Sequence, residues 1–372
     1  MLFQWKVSKR KNTINEQSGQ AQTVPSGEID NRLDANIETI RRTTGNSTDV
    51  VIRRFMLGKE KNIQAAIIFL SGIVDESMIY QFLLESVVQI DFPFSCLPNE
   101  ALLYVEQKIA AAGKMRRMKQ WNHLFLSLMS GETLLFVDGV SEALSIDTKG
   151  GEHRAIEEPS TQLAIRGPRE GFTESLGTNI AMIRRRIKNP NLWLEAITIG
   201  EVTQTNVSLM YIKGIANDEI VEEVRTRLRR IHIDAILESG YIEQLIEDQT
   251  FTTFPTIYHT ERPDIVAANL LEGRIAILVE GTPFVLIAPA VFIQFFQAVE
   301  DYYARFDIAT ALRFLRVLIF FISLIAPALY IALTTFHQEM IPTLLVIAIA
   351  AQRESVPFPS FFKDGLQLMN ID

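Results

Sequence analysis

The chain has 372 residues, 48% of them apolar and 22% charged, with a formal net charge of −8 and one cysteine. At roughly 100–200 residues per domain this length makes two or three domains with ample core-forming residues, which excludes long-range disorder. The lone thiol, Cys96, excludes an internal disulfide or a cysteine-rich metal site, and the mild acidity argues against a nucleic-acid partner, whose binder shows a basic face.

Residues 1–33 read as a polar, disordered tail. Met1 to Lys11 is basic, but Asn12 to Asn31 has no apolar core, so a secretory signal is not expected. Beyond this tail the sequence repeats itself with one long period. Gly72-Ile73 follows the apolar run AAIIFLS as Gly214-Ile215 follows SLMYIK, an offset of 142 that also superposes Gly58 on Gly200, Gly131 on Gly273 and Asp138-Gly139 on Glu280-Gly281. Upstream, NIxxIRR at Asn36 recurs at Asn179, one residue out of step. The expected fold class is α/β (α+β): two tandemly duplicated α/β subdomains, at 34–148 and 176–290, followed by a C-terminal α-helical transmembrane region.

Each copy reads as a helix bearing NIxxIRR, a β-rich stretch (Val50–Leu57 or Leu192–Ile199), and a strand (Ala65–Leu70 or Val207–Ile212). A glycine turn then leads to a helix N-capped by Asp75 or Asn217, further helices and a closing hairpin. In that hairpin, ETLLFVDG–SEALSID and RIAILVEG–PFVLIAP, Asp138-Gly139 supplies a turn signal. Residues 149–175 read as a linker and lead-in helix, rich in Gly, Pro and charge. A cleft between duplicated domains is a common ligand site.

The C-terminal part is different in kind. Between Gly281 and Ala351 about 10% of residues are charged, against about 24% elsewhere. The repeat assigns Phe284–Ala288 to a strand, although hydropathy alone would extend a membrane helix over it. Residues 291–316 are expected to form an amphipathic interfacial connector, with Phe292, Phe295, Phe296, Tyr302 and Tyr303 at the membrane surface. Residues 317–338, VLIFFISLIAPALYIALTTFHQ, carry no formal charge and would span about 33 Å as a helix, enough for a hydrocarbon core. Arg305, Arg313 and Arg316 precede this span and place its N-terminal side in the cytoplasm by the positive-inside rule. Residues 340–360 form a partial membrane segment, too short to span and broken by prolines; its Arg353 and Glu354 are either functional intramembrane polar residues or interfacial caps. Residues 361–372 are an atypical polar tail.

No site chemistry stands out. The phosphate-binding loop, the dinucleotide fingerprint, HExxH and GxSxG are all absent. His123, His153, His232, His259 and His337 are scattered without metal-ligand spacing, and Ser141 lacks flanking elbow glycines. Arg184-Arg185-Arg186 ends a helix, where cations complement the dipole, rather than marking an anion site. No catalytic residue, metal or cofactor is expected.

The stretches GFTESLGTNIAMIRRRIKNPNLWLE, VSLMYIKGIAN, EGRIAILVEGTPFVLIAPAVFIQFFQAVEDYY and AAQRESVPFP resemble the A subunit of the GerA-type spore germinant receptors of endospore-forming bacteria. The resemblance runs from about Asp34 to Ser360 and is most specific between Gly273 and Tyr303. It implies a non-enzymatic subunit of a nutrient receptor in the spore inner membrane, with its N-terminal domain on the core side. Its implied partners are inner-membrane lipid, a transporter-like B subunit that mainly holds the germinant (an amino acid, sugar or nucleoside), and a C-subunit lipoprotein. Germinant binding would trigger ion release and germination. The family continues past VPFP through further membrane helices, whereas FFKDGLQLMNID does not follow it, so a C-terminally truncated member is expected. A membrane-anchored α/β enzyme and a purely structural scaffold subunit are the alternatives.

Overall fold

The computed structural model describes residues 25–57, 63–80, 98–109, 114–151, 159, 167–248 and 255–333. The chain forms two compact units, Met1–Val291 and Phe292–Asp372. The first holds two antiparallel five-stranded sheets. The first copy runs α1 (Leu33–Thr43), β1 (Val50–Leu57), β2 (Ile63–Leu70), α2 (Pro98–Ile109), β3 (Met115–Met118), α3 (Trp121–Met129), β4 (Thr133–Val137) and β5 (Ala143–Ile146). The second runs α4 (Leu176–Arg186), β6 (Leu192–Ile199), β7 (Thr205–Ile212), α5 (Asp218–Arg229), α6 (Ser239–Ile246), β8 (Tyr258–Thr260), α7 (Pro263–Leu271), β9 (Ile275–Val279) and β10 (Val285–Ala288).

The duplication is visible in the hydrogen-bond register. The strand orders, β1-β2-β4-β5-β3 and β6-β7-β9-β10-β8, are the same. Val50 faces Leu70 as Leu192 faces Ile212, and Ala65 faces Val137 as Val207 faces Val279, so the 142-residue offset holds through both pairings. The glycines recur because the backbone needs them. Gly131 and Gly273 have φ of 86° and 87°, and a Cβ at either would lie 2.8 Å from a carbonyl oxygen, of Ile73 or Ile215. Gly58 lies outside the described residues.

The repeated asparagine has a structural task. The Asn36 carboxamide accepts from the Asp30 amide (3.0 Å) and donates to the Asp30 carbonyl (2.7 Å); Asn179 does the same with Thr173 at 2.8 and 2.6 Å. Both side chains are buried and tie the incoming chain to the helix. Asp75 and Asn217 cap as expected, accepting from the amides of Met78 and Glu219.

The central strands are buried on both faces, which is why they read as continuous apolar runs rather than alternating ones. In the second copy Met210, Ile212, Ala276 and Leu278 pack under α4 and α7, while Val207, Leu209, Ile275 and Ile277 pack under α5 and α6. β2 and β7 begin two residues earlier than expected, at Ile63 and Thr205. The edge strands β3 (MRRM) and β8 (YHT) carry no strand signal in the sequence: they are short, polar and half-exposed, and gain their place only by pairing with the apolar hairpin strands β5 and β10.

The copies are fastened at the loop after α1. Arg184 of α4, only 2% exposed, donates to Asp49 at 2.7 and 3.0 Å, to the Ser47 hydroxyl at 3.2 Å and to the Leu192 carbonyl at 2.6 Å. The Ser47 hydroxyl also accepts from the Leu194 amide (2.8 Å), and the Trp193 indole donates to the Thr43 carbonyl (3.1 Å). Arg185 instead donates to the Gly150 carbonyl, and Arg186 pairs with Glu170. The three arginines therefore serve separate ends, and the helix-dipole reading misses what Arg184 does.

Among its described residues the second unit contains two 3₁₀ turns, Phe292–Phe296 and Val299–Tyr302, and the helix α8 (Phe306–Ile331). α8 is 26 residues and about 39 Å long and contains an 18-residue stretch of mean hydropathy 2.3, apolar and long enough to cross a membrane. It starts eleven residues upstream of the charge-free span, because arginines within the good helix formers of DIATALRFLR do not end a helix. Thr334 to Gln338, the segment 340–360, the tail 361–372 and residues 1–24 fall outside the described residues.

Arg184→Ala leaves Asp49 buried without its cation and should cost about 3–5 kcal/mol, whereas the paired replacement Asp49→Leu with Arg184→Met should cost far less. Urea denaturation of residues 25–291 measures both; equal losses would show that the pair is not what fastens the copies.

Candidate functional site

The seam between the copies opens into a groove. A cavity of about 550 Å³ lies between Ser71, Asp75 and Glu76 of the first copy and Ser175, Gly177 and Thr178 of the second. A recess of about 280 Å³ that shares Ser71, Gly72 and Gly177 continues past Asp49 to Asn206 and Glu280. The walls are formed by the glycine turn after β2, the linker glycines Gly150 and Gly151, and the first turn of α4.

The polar side chains of the cavity are largely occupied in shaping these turns. The Ser71 hydroxyl donates to Glu76 (2.7 Å), Asp75 accepts from the Met78 amide (3.0 Å), and the Thr178 hydroxyl donates to Ser175 (3.1 Å), which caps α4. No imidazole, thiol or amine lines either recess, and the contact of the Ser71 hydroxyl with the Glu76 carboxylate ties down the turn after β2. Among the described residues no group of three or more His, Cys, Asp or Glu side chains could hold a metal ion. The groove can accommodate a small polar molecule through hydroxyls, carboxylates and the amides at the start of α4.

Two charged clusters lie apart from it. Glu132, buried at the start of β4, accepts from Arg116 (2.6 and 2.9 Å), Ser145 (2.5 Å) and Lys149 (3.0 Å). Burial pushes its carboxyl up, but the hydrogen bonds from Ser145, Lys149 and Ser127 outweigh this and hold it at about 2, against an ordinary 4.5. The other cluster belongs to the second unit. The Asp301 carboxylate is 1% exposed and pairs with Arg316 and with Arg313 (3.2 Å), while Arg316 also donates to the Phe296 carbonyl (2.8 Å). Burial raises the Asp301 carboxyl and the two arginines reverse the effect, leaving it below the usual range.

The residues singled out from sequence are thus dispersed. Arg313 and Arg316 are engaged on Asp301, and Arg305 is exposed with Asp307 at 3.4 Å. Arg353 and Glu354 lie outside the described residues, as do Cys96, His153 and His337. His123, His232 and His259 are exposed, and Ser141 sits in the β4–β5 turn. Asp49, Ser47 and Asp301 were not singled out. The signal for Asp49 was available only by comparing the copies, since the equivalent residue is Asn191 and nothing local distinguishes the two.

The model of a family described as Bacillus/Clostridium GerA spore germination protein matches residues 38–370. The chain belongs to the GerA spore germination protein family. The match continues ten residues past Ser360, the expected end of the resemblance, so the family covers most of the tail as well. This GerA-family chain is 58% identical over 328 residues to spore germination protein KA of Bacillus subtilis, covering 88% of this chain and 60% of that protein. It is 40% identical over 340 residues to the membrane protein YfkQ of the same organism, covering 90% and 64%. It therefore spans less than two thirds of the length of these relatives. Among solved structures it is similar to the N-terminal domain of the A subunit of the Bacillus megaterium spore germinant receptor GerK3, with 50% identity and a TM-score of 0.57 over 73% of this chain and 99% of that one. The mixed α/β architecture followed by an apolar helix agrees with the fold class expected from sequence, and the relatives together with α8 indicate association with a membrane.

Two outcomes follow. Because the folded carboxyl of Glu132 lies below its ordinary value, the stabilisation it gives is full above about pH 4.5 and is lost as pH falls toward 2. Residues 25–291 should lose of the order of 2–3 kcal/mol more than the Glu132→Gln variant between pH 6 and pH 2.5, read from urea midpoints. Asp301→Ala should free Arg313 and Arg316, and the rate of tryptic cleavage after these residues in the detergent-solubilised chain should rise while cleavage after Arg305 stays constant.

Proposed function

We propose that the chain acts as the A subunit, or the matching part of one, of a nutrient receptor that starts spore germination. The observation that carries this reading is the combined 58% identity to spore germination protein KA and 50% identity to the A-subunit N-terminal domain of a germinant receptor. Unit 1 lies on the core side of the spore inner membrane, α8 anchors it there, and a transporter-like B subunit and a C-subunit lipoprotein complete the complex. The B subunit holds most of the germinant contacts. The duplicated unit passes occupancy on as a change in the equilibrium between two arrangements, and ion release follows. A groove whose two walls come from different copies supports this reading, since a molecule bound in it would favour one arrangement over another.

Spores lacking this chain should fail to lose absorbance and to release potassium when given the amino acid, sugar or nucleoside that triggers the parent spores. An unchanged response to every such nutrient overturns the reading. Titrating residues 25–291 with the same nutrients by calorimetry distinguishes a unit that senses directly, which gives heat, from one that relays or scaffolds, which gives none.

A further inference from the structure

In the first copy the chain itself covers one end of the sheet. After β5, the segment Thr148–Gly151 runs beside the turn that follows β2, and Lys149 forms an isolated antiparallel bridge with Val74. The Asp75 amide donates to the Thr148 carbonyl (2.8 Å) and the Gly150 amide to the Ile73 carbonyl (3.2 Å). The Lys149 stem passes over Gly131, where a Cβ would lie 3.5 Å from its Cγ, and its amine reaches Glu132 at 3.0 Å. Under this cover Ile73 and Met129 are 4% and 2% exposed.

Displaced by 142 residues, the same edge is bare. Ile215 and Leu271, the equivalents of Ile73 and Met129, are 49% and 58% exposed. The edge keeps its shape, since a Cβ at Gly273 would lie 2.8 Å from the Ile215 carbonyl oxygen as one at Gly131 would from that of Ile73. Among the described residues, however, neither the Ile215 carbonyl nor the Asn217 amide has a main-chain partner. The chain after β10 takes another course: the Ala290 amide donates to the Thr256 carbonyl, and Val291, in the place of Lys149, is 44% exposed. An unpaired main-chain edge beside exposed apolar side chains is a template for an added strand.

Charge and shape specify what would fit. Where the first copy has Glu132, the second has Arg274. Its side chain is 13% exposed, its Nη1 is buried with no hydrogen-bond partner among the described residues, and its Nη2 lies 3.5 Å from Glu272. The residues in the places of Arg116, Ser145 and Lys149, which hold Glu132, are Tyr258, Ile287 and Val291, none of them acidic. Burial also draws the guanidinium below its usual value. An enclosed cation with one distant counter-ion is expensive, and an arriving carboxylate would relieve it. The position after that acid is sterically fixed. A Cβ at Gly150 would lie 2.8 Å from the Asp75 Cβ, and Asn217 stands in the place of Asp75, so glycine is required there again.

We propose that the edge Ile215–Asn217 takes an extended segment of another protein that carries Asp-Gly or Glu-Gly, with its carboxylate on Arg274. The acid takes the place of Lys149 and the glycine that of Gly150. The added segment thereby repeats, with the charges exchanged, the contact that the linker makes on the first copy.

The test uses the full chain in detergent micelles and fluorescently labelled peptides of residues 144–151, read by anisotropy. The peptide bearing Lys149→Glu should bind about tenfold more tightly than the parent peptide, with a Kd on the order of 1 mM or below. Arg274→Glu in the chain should reverse that preference, and adding Gly150→Ala to the Lys149→Glu peptide should abolish binding. Equal affinity for the two peptides, or binding of the Lys149→Glu peptide that survives Arg274→Glu, overturns the charge pairing. Binding that tolerates Gly150→Ala overturns the register, and no binding at about 5 mM overturns the edge as a docking site. Matching thermal melts by circular dichroism verify that the Arg274→Glu chain is folded. In native membranes a photo-crosslinker at Leu271 identifies the occupant. Attachment to an Asp-Gly or Glu-Gly segment of another polypeptide is expected; attachment to any other segment, including residues 290–293 or a second copy of this chain, overturns the assignment.

Discussion

A guanidinium that is 2% exposed persists inside a protein only if almost every donor finds an acceptor, and Arg184 finds its acceptors in both copies at once. Asp49 and Ser47 come from the loop after α1, and the Leu192 carbonyl from the strand that follows α4. Removing Asp49 leaves a buried charge without its counter-ion, so the relative placement of the copies is tied to the register of both at the seam. The groove, the packing of Ala181 into the first core and the seating of the Trp193 indole against the first copy's helix end all depend on that placement. A seam held by a charged network rather than a broad apolar face is specific in geometry while contributing little net stability, which suits two parts that must adopt defined relative positions.

The duplication explains why the seam has polarity. In the same structural position the first copy has Arg41, exposed on α1, and the second has Arg184, buried on α4; the first has Asp49 and the second Asn191. A charge pair across the seam requires only one basic residue and one acidic residue, so one member of each repeated pair was free to change. Glu132 and Arg274 show the same divergence at another position. A carboxylate held at about 2 by three hydrogen-bonding neighbours corresponds, in the other copy, to a cation whose ion-pair partner among the described residues, Glu272, lies 3.5 Å away. The backbone meanwhile keeps its register residue for residue, because central strands buried on both faces tolerate little change in volume or pairing.

That contrast sets what could be read from sequence. The repeat, the central strands, the hairpins and both helix caps were legible, since each depends on local chemistry: apolar runs, glycines at positive φ, a side-chain acceptor before a helix. β3 and β8 were not, because MRRM and YHT become strands only through a partner strand that is distant in sequence. Arg184 was legible as a residue but not as a role. Three consecutive arginines at a helix end satisfy the dipole argument equally well, and only the packing shows that the first points across the seam while its neighbours serve the linker glycine and Glu170. The groove was legible as a consequence of duplication, whereas the identity of its walls depended on where the linker glycines come to rest.

The same logic applies to the arginines at the start of the membrane helix. Counted along the sequence, Arg305, Arg313 and Arg316 form a positive flank that orients a span. In space, Arg313 and Arg316 share one carboxylate, Asp301, whose side chain is almost wholly enclosed, and Arg316 also holds the Phe296 carbonyl. The cluster carries a net charge of +1 rather than +2, and it fixes the 3₁₀ turns against α8 within the second unit. Arg313 and Arg316 thus anchor the segment leading into the helix, so a displacement of that segment acts on α8 through Asp301 rather than through a flexible tether.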